Sequence, residues 1–453
     1  MTTRRDFLRS SACLAAMAGL SRVSLFAQGG DDAFTIAAVG DCIINRPFEH
    51  DDPATLALLR SIRDADAAFA NVEITFPDPG TAPAATGACG DLNNSAEGPM
   101  AEELRWAGFD IVSTANNHSL DYGEEGMFAT ASKLERAGIA HAGTGRNLAD
   151  ATAPAFYDSR RGRVALIACA STIRPWSLAA DGNDEIPGRP GLNPLRFRTT
   201  YKLSAAQLKS LEEISHSLFP NPEAGLVPQA PQEGISFLGN RFVAADAAGV
   251  ATAPDPTDLA RITAAVRRAA RNAGLVLVSI HAHESGTSRE VPAAFLVDFA
   301  RKCIDAGAHM FIGHGPHILR GVEIYKQRPI FYSLANFIFQ AESMRQIPQE
   351  IYSRCGIEGR DPSDFFDRAM NGFSDAVFWE SAIARVEFRG GRATSVTLLP
   401  ITLQQDLARA RRGTPILAPP AAAARIVERV ARLSQPFGAR VAFSNGAGVV
   451  QLA

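Results

Sequence analysis

The stretch STANNHSLDYG, residues Ser113–Gly123, places two carboxamides, an imidazole and a carboxylate within six residues. The apolar residues before it predict a short buried strand, and the residues after it predict a helix. Ligands of α/β proteins commonly bind at the carboxyl ends of strands, which is where this cluster falls. Two interpretations are open for Asn116, Asn117 and Asp121: they act on a ligand, or they only supply turn and capping groups.

The composition is that of a folded globular protein. The chain has 453 residues, of which 46% are hydrophobic and 21% charged, and this balance excludes a disordered chain. Its length allows one large domain or two to three ordinary ones. A net charge of −3 without a long basic run argues against a nucleic-acid partner.

Residues 1–27 resemble a twin-arginine export signal. Arg4 and Arg5 precede a weakly apolar stretch of small residues that is too short to span a bilayer as a stable helix. We expect cleavage after Ala27 and a periplasmic or secreted protein, with an uncleaved N-terminal anchor as the alternative. The five remaining cysteines are scattered singly, so they predict neither a disulfide framework nor a zinc-thiolate site: Cys42, Cys89, Cys169, Cys303 and Cys355.

Short apolar runs alternate with helical patterns through most of the chain, which predicts an α/β core. The predicted strands are Phe34–Val39, Ala67–Ala70, Asp110–Thr114, Arg163–Ala170, Leu275–Ile280, Met310–Gly313 and Ile330–Tyr332. The predicted helices are Pro53–Ala65, Pro99–Ala107, Glu124–Ala137, Asp255–Asn272 and Pro292–Ala306. Alternating apolar residues on both sides of Gly390-Gly391 predict a β-hairpin, so the sheets are not purely parallel.

Two long segments interrupt this alternation, at about residues 174–254 and 340–380. The first is rich in Pro, Gly and Asn and contains one amphipathic helix, Ser204–Leu218. Loops of this length in a compact protein are commonly lids or binding walls, or else variable surface. Residues 403–453 are predicted to form a C-terminal helical extension with a helix at Ala421–Leu433.

Four further polar clusters follow predicted strands, as the opening cluster does. Their residues are Asp41, Asn71 and Glu73, His281 with His283 and Glu284, and His314 with His317. A single Asp or His after a strand is commonly a turn former or a satisfied polar group. Five of the nine histidines nevertheless fall in the clusters, and so many independent coincidences are improbable.

Imidazole, carboxylate and carboxamide groups together suit Zn²⁺, Mn²⁺ or Fe, whereas a calcium site would be all oxygen. Two such metals about 3.5–4 Å apart can share a hydroxide as nucleophile. In such a site Asn117 gives its side-chain oxygen to a metal, and His118 acts on the substrate as an acid or hydrogen-bond donor. This is the interpretation that we favour for the opening stretch.

Seven motifs occur in an order that resembles the CapA (PgsA) family of poly-γ-glutamate capsule-synthesis proteins. They are VGDCII, NVEITF, ANNHSLDYG, GTG, VSIHAHE, GHGPHILRGVEIY and IFYSLANFIF. The resemblance covers roughly residues 34–175 and 270–402, within a family-like domain expected at 34–402. It implies an α/β (α+β) fold, a four-layer α/β/β/α metallophosphatase-like sandwich of mixed sheets with long inserted loops, and a dinuclear metal site at the strand ends.

The resemblance also implies a role for each motif residue. The implied metal ligands are Asp41, Glu73, Asn117, His281, His314 and His317, with Glu73 as the bridging carboxylate. The implied catalytic acid is His118. The implied substrate-binding residues are Asn71, Asn116, Asp121, His283 and Asn336.

Three positions depart from the metallophosphatase pattern. Ile43 stands where a second histidine ligand is expected, so that one metal would lose a ligand. His283 could be a replacement ligand or a solvent-facing residue. The spacing before His317 is one residue longer than in the usual motif. A two-metal site, a one-metal site and a site without activity therefore all stay open.

The family implies a role in poly-γ-glutamate synthesis, export or processing, with an anionic polymer as ligand and a membrane-bound polymer synthase as partner. One alternative is a periplasmic metal-dependent phosphoesterase or γ-glutamyl (amide) hydrolase that is unrelated to capsule. The other is a non-catalytic accessory protein that binds polyanions. Arg189, Arg196 and Arg198 would contact an anionic substrate or belong to a solvated loop.

Overall fold

The computed structural model of the protein describes residues 33–85, 92–220, 234–344, 347–359, 361–369 and 373–452. The export signal predicted at residues 1–27 and Cys89 lie outside these ranges. Within them, no helix is both long enough and apolar enough to cross a membrane.

The described chain contains 22 strands, which are numbered here in chain order. They are β1 (Phe34–Ile43), β2 (Ala67–Val72), β3 (Ile111–Ser113), β4 (Ala140–Ala142), β5 (Thr144–Gly145), β6 (Ala155–Ser159), β7 (Gly162–Ala170), β8 (Gly191–Leu192), β9 (Phe197–Leu203), β10 (Ile235–Phe237), β11 (Asn240–Ala244), β12 (Gly249–Pro254), β13 (Leu275–His281), β14 (Met310–His314), β15 (Val322–Tyr325), β16 (Arg328–Phe331), β17 (Asn336–Phe339), β18 (Glu380–Arg389), β19 (Arg392–Thr402), β20 (Ile416–Leu417), β21 (Val441–Ser444) and β22 (Ala447–Val450).

Ten α-helices accompany these strands in the same part of the chain. They are α1 (Pro53–Arg63), α2 (Met100–Ala107), α3 (Gly123–Arg136), α4 (Leu148–Thr152), α5 (Ala205–Leu218), α6 (Pro256–Ala269), α7 (Ala294–Asp305), α8 (Gln349–Arg354), α9 (Pro362–Ala369) and α10 (Pro420–Ser434). The predicted strands and helices listed above are all present, with ends that differ by a few residues.

Two large mixed sheets carry the fold. The first has ten described strands in the order β21-β22-β19-β18-β1-β2-β3-β4, with β17 pairing with β1 and β20 with β19. The second has six, in the order β15-β16-β14-β13-β7-β6. Their central strands are parallel, and β18 and β19 form the predicted antiparallel hairpin. A short pair, β5 with β8, stands apart.

Alternate residues of each central strand enter different apolar cores, which sets four layers. In β7, Val164, Leu166 and Ala168 pack in the core between the two sheets, beside residues of β1, β2 and β3. The intervening Ala165 and Ile167 pack in a second core with α6 and α7. A third core joins the other face of the first sheet to α1 and α2. The predicted α/β/β/α sandwich of mixed sheets is therefore confirmed.

The register of the parallel strands brings polar residues to one edge. His281 lies opposite His314 where β13 pairs with β14. Asp41 lies opposite Asn71 where β1 pairs with β2, and Asn71 lies opposite Ser113 of β3. Parallel strands end at the same edge of a sheet, so each sheet presents its polar cluster there.

Gly40 lies inside β1, which continues through it to Ile43. A Cβ atom at Gly40 would lie 1.8 Å from the carbonyl oxygen of Ala335, so only glycine permits this close approach. The Asp41 N–H donates to that same oxygen at 2.9 Å, and the pairing with β2 shifts register between Ala38 and Asp41. Such irregularities re-aim a side chain, here that of Asp41.

The inserted and C-terminal segments contain more structure than predicted. Four described strands between residues 197 and 254 form a third sheet, in the order β10-β11-β9-β12, beside the expected helix α5. Residues 403–453 are not only helical, because β22 pairs with β19 of the first sheet. Helix α10 also packs into the core between the sheets through Ile426 and Val430. These residues are therefore part of the sandwich.

The described cysteines include both free thiols and a disulfide-bonded residue. Cys42, Cys169 and Cys303 are buried free thiols, as expected for small apolar side chains. Cys355 takes part in a disulfide bond, which the scattered spacing of the cysteines did not predict.

Candidate metal centre

Five strand ends from the two sheets meet at one buried polar cluster. The first sheet contributes Asp41 from β1, Glu73 after β2, and Asn117 with His118 after β3. The second sheet contributes His281 from β13 and His314 from β14, with His283 and His317 following those strands. The structure thus brings together the carboxylates and histidines that the sequence predicted as metal ligands, which are Asp41, Glu73, His281, His314 and His317. Asn117 precedes His118, whose Nε2 lies 3.9 Å from Glu73.

Asp41 is the anchor of the cluster and is fully buried. Its Oδ1 accepts a hydrogen bond from Asn71 Nδ2 at 2.8 Å, and its Oδ2 accepts one from the Gly315 N–H at 2.9 Å. Burial alone would raise the pKa of Asp41, but its interactions with His281 and His314 hold that pKa well below its usual range. Asp41 is therefore ionised at neutral pH.

Glu73 lies in the opposite situation, although it is also fully buried. Neither of its carboxylate oxygens has a hydrogen-bond partner among the described residues. Oε1 lies 3.5 Å from His281 Nε2, 3.8 Å from His317 Nε2 and 3.9 Å from His118 Nε2. Burial and the neighbouring Asp41 carboxylate raise the pKa of Glu73 well above its usual value.

The side-chain oxygen of Asn117 is a second unsatisfied acceptor. This Oδ1 atom is buried and finds no donor within the described part of the chain. Buried acceptors normally have a partner, so several orphaned oxygens beside a ring of imidazoles call for an external cation. The residues present therefore fit the divalent metals that the donor set suggests.

Three overlapping groups of side chains have the spacing of metal ligands. They are Asp41 with His281 and His314, Glu73 with His281 and His283, and Asp41 with Glu73 and His317; within each group the ligand atoms lie within 4.8 Å of one another. Shared residues connect the groups into one site. Metal identity and number do not follow from this geometry.

His281 faces two of these groups with its two ring nitrogens. Its Nδ1 lies 3.1 Å from His314 Nδ1 and 3.6 Å from Asp41, whereas its Nε2 lies 2.9 Å from His283 Nε2. A neutral imidazole binds a metal through one nitrogen only. Burial lowers the pKa of His281 to about 4, which keeps the ring neutral and able to act as a ligand.

His317 joins the cluster despite its longer spacing from His314. The backbone at His317 is left-handed, with φ of 61°, and this turn directs the ring back towards Glu73. Its Nδ1–H donates to Asn336 Oδ1 at 2.8 Å, which leaves the lone pair on Nε2. Burial lowers the pKa of His317, so the ring is neutral.

His118 is held by a carboxylate at the edge of the cluster. Its Nδ1–H donates to Asp121 Oδ2 at 2.6 Å, and the same oxygen accepts the Asn94 N–H at 2.6 Å. The other oxygen of Asp121 lies 3.3 Å from Arg174 Nη1. This arrangement fixes the ring so that Nε2 points towards Glu73.

Four residues that were expected to face a substrate are instead buried among the ligands. Asn71, Asn116, Asp121 and Asn336 are each at most 1% exposed. Asn71 bonds to Asp41, Asp121 to His118 and Asn336 to His317, while Asn116 accepts the His118 N–H and donates to the Val72 carbonyl. Their contacts orient the ligands and leave no surface for a substrate.

The structure also shows where Ile43 and the three arginines of the inserted segment lie. Ile43 packs in the apolar core with α1 and α2, so it supplies nothing to the cluster. Arg196 is paired with Asp258, Arg198 lies 3.4 Å from Asp255, and Arg189 donates to the Leu178 carbonyl. Arg196 and Arg198 thus interact with acidic residues at the start of α6, and Arg189 with a carbonyl of its own segment.

Several groups that contact residues of the candidate metal centre were not indicated by any sequence pattern. The Gly315 N–H, Arg174 and Asn94 act through groups that no motif singles out, and Arg320 lies buried beside His283. The position of Arg320 in GHGPHILRG was the one available signal, since a charged residue there follows a buried strand.

Comparison with known proteins places the chain in a family. The model of the family "Bacterial capsule synthesis protein PGA_cap" matches residues 35–341. The chain belongs to the PGA_cap family. The resemblance to CapA proteins is thereby confirmed. A PGA_cap-like relative over nearly the whole length is "Uncharacterized protein y4sH" of Sinorhizobium fredii, 36% identical over 442 residues, covering 93% of this chain and 94% of that protein.

Other PGA_cap relatives match over part of their length. "Capsule biosynthesis protein CapA" of Bacillus anthracis is 25% identical over 249 residues, covering 55% of this chain and 44% of that protein. "Probable polyglutamine synthesis accessory protein" of Mycobacterium tuberculosis is 27% identical over 237 residues, covering 52% and 46%.

Two solved structures also match. One is a hypothetical protein from Thermus thermophilus, at 15% identity and a TM-score of 0.35, covering 81% of this chain and 98% of that chain. The other is the NAD nucleotidase of Haemophilus influenzae, at 10% identity and a TM-score of 0.33, covering 88% and 55%.

Proposed function

We propose that this PGA_cap protein is an exported, metal-dependent hydrolase that processes an anionic polymer of the poly-γ-glutamate type, with phosphate esters as the alternative substrates. The observation that carries the proposal is the Glu73 carboxylate, which is buried without a donor among several imidazoles. A group that costs stability when unpaired is expected to be retained for a ligand.

The residues that would hold two divalent ions, of Mn, Zn or Fe type, are Asp41, Glu73, Asn117, His281, His314 and His317. Bound ions would supply a Lewis acid and lower the pKa of a water molecule towards neutrality. The contribution of the protein is to fix the ligands. Asn71 and the Gly315 N–H fix Asp41, and Asn336 fixes His317.

His118 would act as the general acid. Its Nδ1–H is held by Asp121, so the proton on Nε2 of the protonated ring is the one available to a departing atom. Nε2 lies on the side of the ring that faces Glu73, 3.9 Å from Glu73 Oε1.

The test uses the full chain, stripped with a chelator and reconstituted with Mn²⁺ or Zn²⁺. Bis-p-nitrophenyl phosphate and poly-γ-glutamate serve as the two substrate classes. We expect metal-dependent turnover of one class, and a fall in kcat of roughly 10²–10⁴-fold for His118→Ala with unchanged metal content. The control is His216→Ala, at an exposed position on α5. Metal binding without turnover of either class contradicts the proposed hydrolase.

A non-catalytic role is the second candidate. It is favoured by the Mycobacterium tuberculosis relative, which is named as a probable polyglutamine synthesis accessory protein. A binding protein would retain poly-γ-glutamate with equal affinity after His118→Ala. Sedimentation of the protein with the polymer distinguishes this role from hydrolysis, because only an enzyme shortens the polymer.

Export is supported by the twin arginines and by the disulfide at Cys355, since disulfides persist in oxidising compartments. An exported protein could meet a membrane-bound polymer synthase. The test is cell fractionation of the wild type and of the double variant Arg4→Lys, Arg5→Lys. We expect the variant to stay in the cytoplasm, and equal export of both would contradict a twin-arginine route.

A further inference from the structure

Arg320 is a buried cation whose hydrogen bonds go to backbone carbonyls. It is 1% exposed, and the Glu284 carboxylate is the acidic group that acts on its charge. Its Nε donates to the Arg289 carbonyl at 3.0 Å, and its Nη2 donates to the His283 carbonyl at 3.3 Å. A buried arginine is costly to desolvate, so one that donates to backbone carbonyls indicates a positioning role.

The two carbonyls that Arg320 contacts belong to one loop, which follows β13. Residues 285–289 of this loop are exposed, and it is closed by a hydrogen bond from the Gly286 N–H to the Val291 carbonyl. Arg320 comes from a different segment, after β14. It therefore ties the base of an exposed loop to the core of the second sheet.

The backbone of His283 is held from its other side as well. Its N–H donates to Thr172 Oγ1 at 2.8 Å, and that hydroxyl donates to Glu284 Oε1 at 3.1 Å. Ser171 donates to the other oxygen of Glu284 at 2.7 Å. Both polar backbone groups of His283 are thus fixed by side chains of other segments.

The result is a defined position for the His283 ring. Its Nε2 lies 2.9 Å from His281 Nε2, and with Glu73 these atoms form one of the groups with ligand spacing. Ile43, where a second histidine ligand is expected, is turned into the apolar core. The ring of His283 therefore supplies an imidazole nitrogen at ligand spacing from Glu73 and His281.

We propose that His283 is a metal ligand of this chain and that Arg320 is the positioning residue that holds its backbone in place. The inference rests on the proposed function, since it requires a cation at the cluster. Of the two interpretations of His283, a replacement ligand and a solvent-facing residue, it chooses the ligand.

The experiment is a calorimetric titration of the chelator-stripped full chain with Mn²⁺, followed by elemental analysis. We expect His283→Ala and Arg320→Gln each to weaken binding of one ion by roughly 10–100-fold, the usual effect of losing groups that hold a metal site. If Arg320 acts through His283, the double variant binds no more weakly than His283→Ala alone. The controls are His216→Ala and Arg268→Gln, both at exposed helix positions.

Each contrary result has its own meaning. Wild-type affinity and ion count in His283→Ala overturn the ligand assignment, and an additive double variant overturns the role of Arg320. Absence of Mn²⁺ binding by the wild type overturns the proposed function instead. Should Arg320→Gln fail to give the wild-type circular dichroism spectrum, Thr172→Val removes the partner of the His283 N–H and is judged by the same cycle.

Discussion

Asp258 and Glu73 are both carboxylates that the fold buries almost completely, at 1% and 0% exposure, yet their surroundings differ. Asp258 accepts hydrogen bonds from the N–H, Nε and Nη2 of Arg196 and from Nη2 of Arg261, at 2.8–2.9 Å. Burial raises the pKa of Asp258, but the two arginines lower it by more than burial raises it. The pKa of Asp258 therefore lies below its usual value. Glu73 has no donor among the described residues, and its pKa is raised.

This difference distinguishes a buried carboxylate with a structural role, Asp258, from one that is available to a ligand, Glu73. At Asp258 the protein itself supplies the compensating charge through Arg196 and Arg261. These contacts join α6 to the segment before β9 and need no external ion. At Glu73 no described residue donates a hydrogen bond, so the compensation has to come from outside. A buried charge is therefore informative through its partners rather than through its burial.

The largest effect is expected for Asp258→Asn. This change leaves two arginines beside a neutral amide, so the free energy of unfolding falls by about 3 kcal/mol. Urea unfolding measures it, and Mn²⁺ binding of the folded variant stays at the wild-type level. Asp298→Asn is the control, because its pair with Lys302 lies on the surface and contributes under about 1 kcal/mol. A loss of similar size in both variants would remove the contrast.

Glu73→Gln is expected to have the next largest effect, on metal rather than on folding. The amide keeps the shape of the side chain but lacks the charge, so Mn²⁺ affinity falls by at least about 100-fold. Isothermal titration calorimetry measures the change. Glu213→Gln, at an exposed position on α5, should bind as the wild type does. Unchanged affinity in Glu73→Gln would mean that Glu73 is a structural residue like Asp258.

Asn336→Ala tests the finding that this residue orients a ligand instead of meeting substrate. Loss of the acceptor for His317 Nδ1–H should weaken Mn²⁺ binding about tenfold, with little change in KM at saturating metal. Asn272→Ala, at an exposed site, is the control. A raised KM with wild-type metal affinity would restore the substrate-binding role.

The smallest effect concerns pH in the metal-free protein. Because the pKa of Glu73 is raised on folding, the folded protein binds this proton more tightly than the unfolded chain. The wild type therefore gains stability from this group as pH falls through the raised pKa, whereas the glutamine of Glu73→Gln is uncharged throughout. The excess stability of Glu73→Gln over wild type should shrink from pH 8 to about pH 4.5. A constant difference would indicate an ionised, compensated Glu73.

Much of the fold and of the site was accessible from sequence. Apolar runs such as Leu275–Ile280 predict buried parallel strands, and parallel strands end together, so the polar residues after them were expected to meet. The third sheet was missed although Phe197–Leu203 alternates apolar and polar residues, because the segment around it is rich in Pro, Gly and Asn and no residue of this strand is fully buried. The pairing of β22 with β19 was missed because it joins residues far apart in the chain.

The orientation of individual side chains was the part that sequence could not supply. Asn336 and Asp121 occur in motifs with the ligands, and motif membership alone does not distinguish a residue that holds a ligand from one that meets substrate. That distinction depends on long-range contacts, such as the hydrogen bond between His317 and Asn336. For Gly40, the constraint is the approach of Ala335, which no local pattern reveals.

The most direct test of the central claim is anomalous diffraction at the manganese edge from crystals of the full chain grown with Mn²⁺. We expect an anomalous peak enclosed by Asp41, Glu73, Asn117 and the histidines at the ends of β13 and β14 and directly after them. Manganese found only on the protein surface, with Glu73 still lacking a cation, would contradict it.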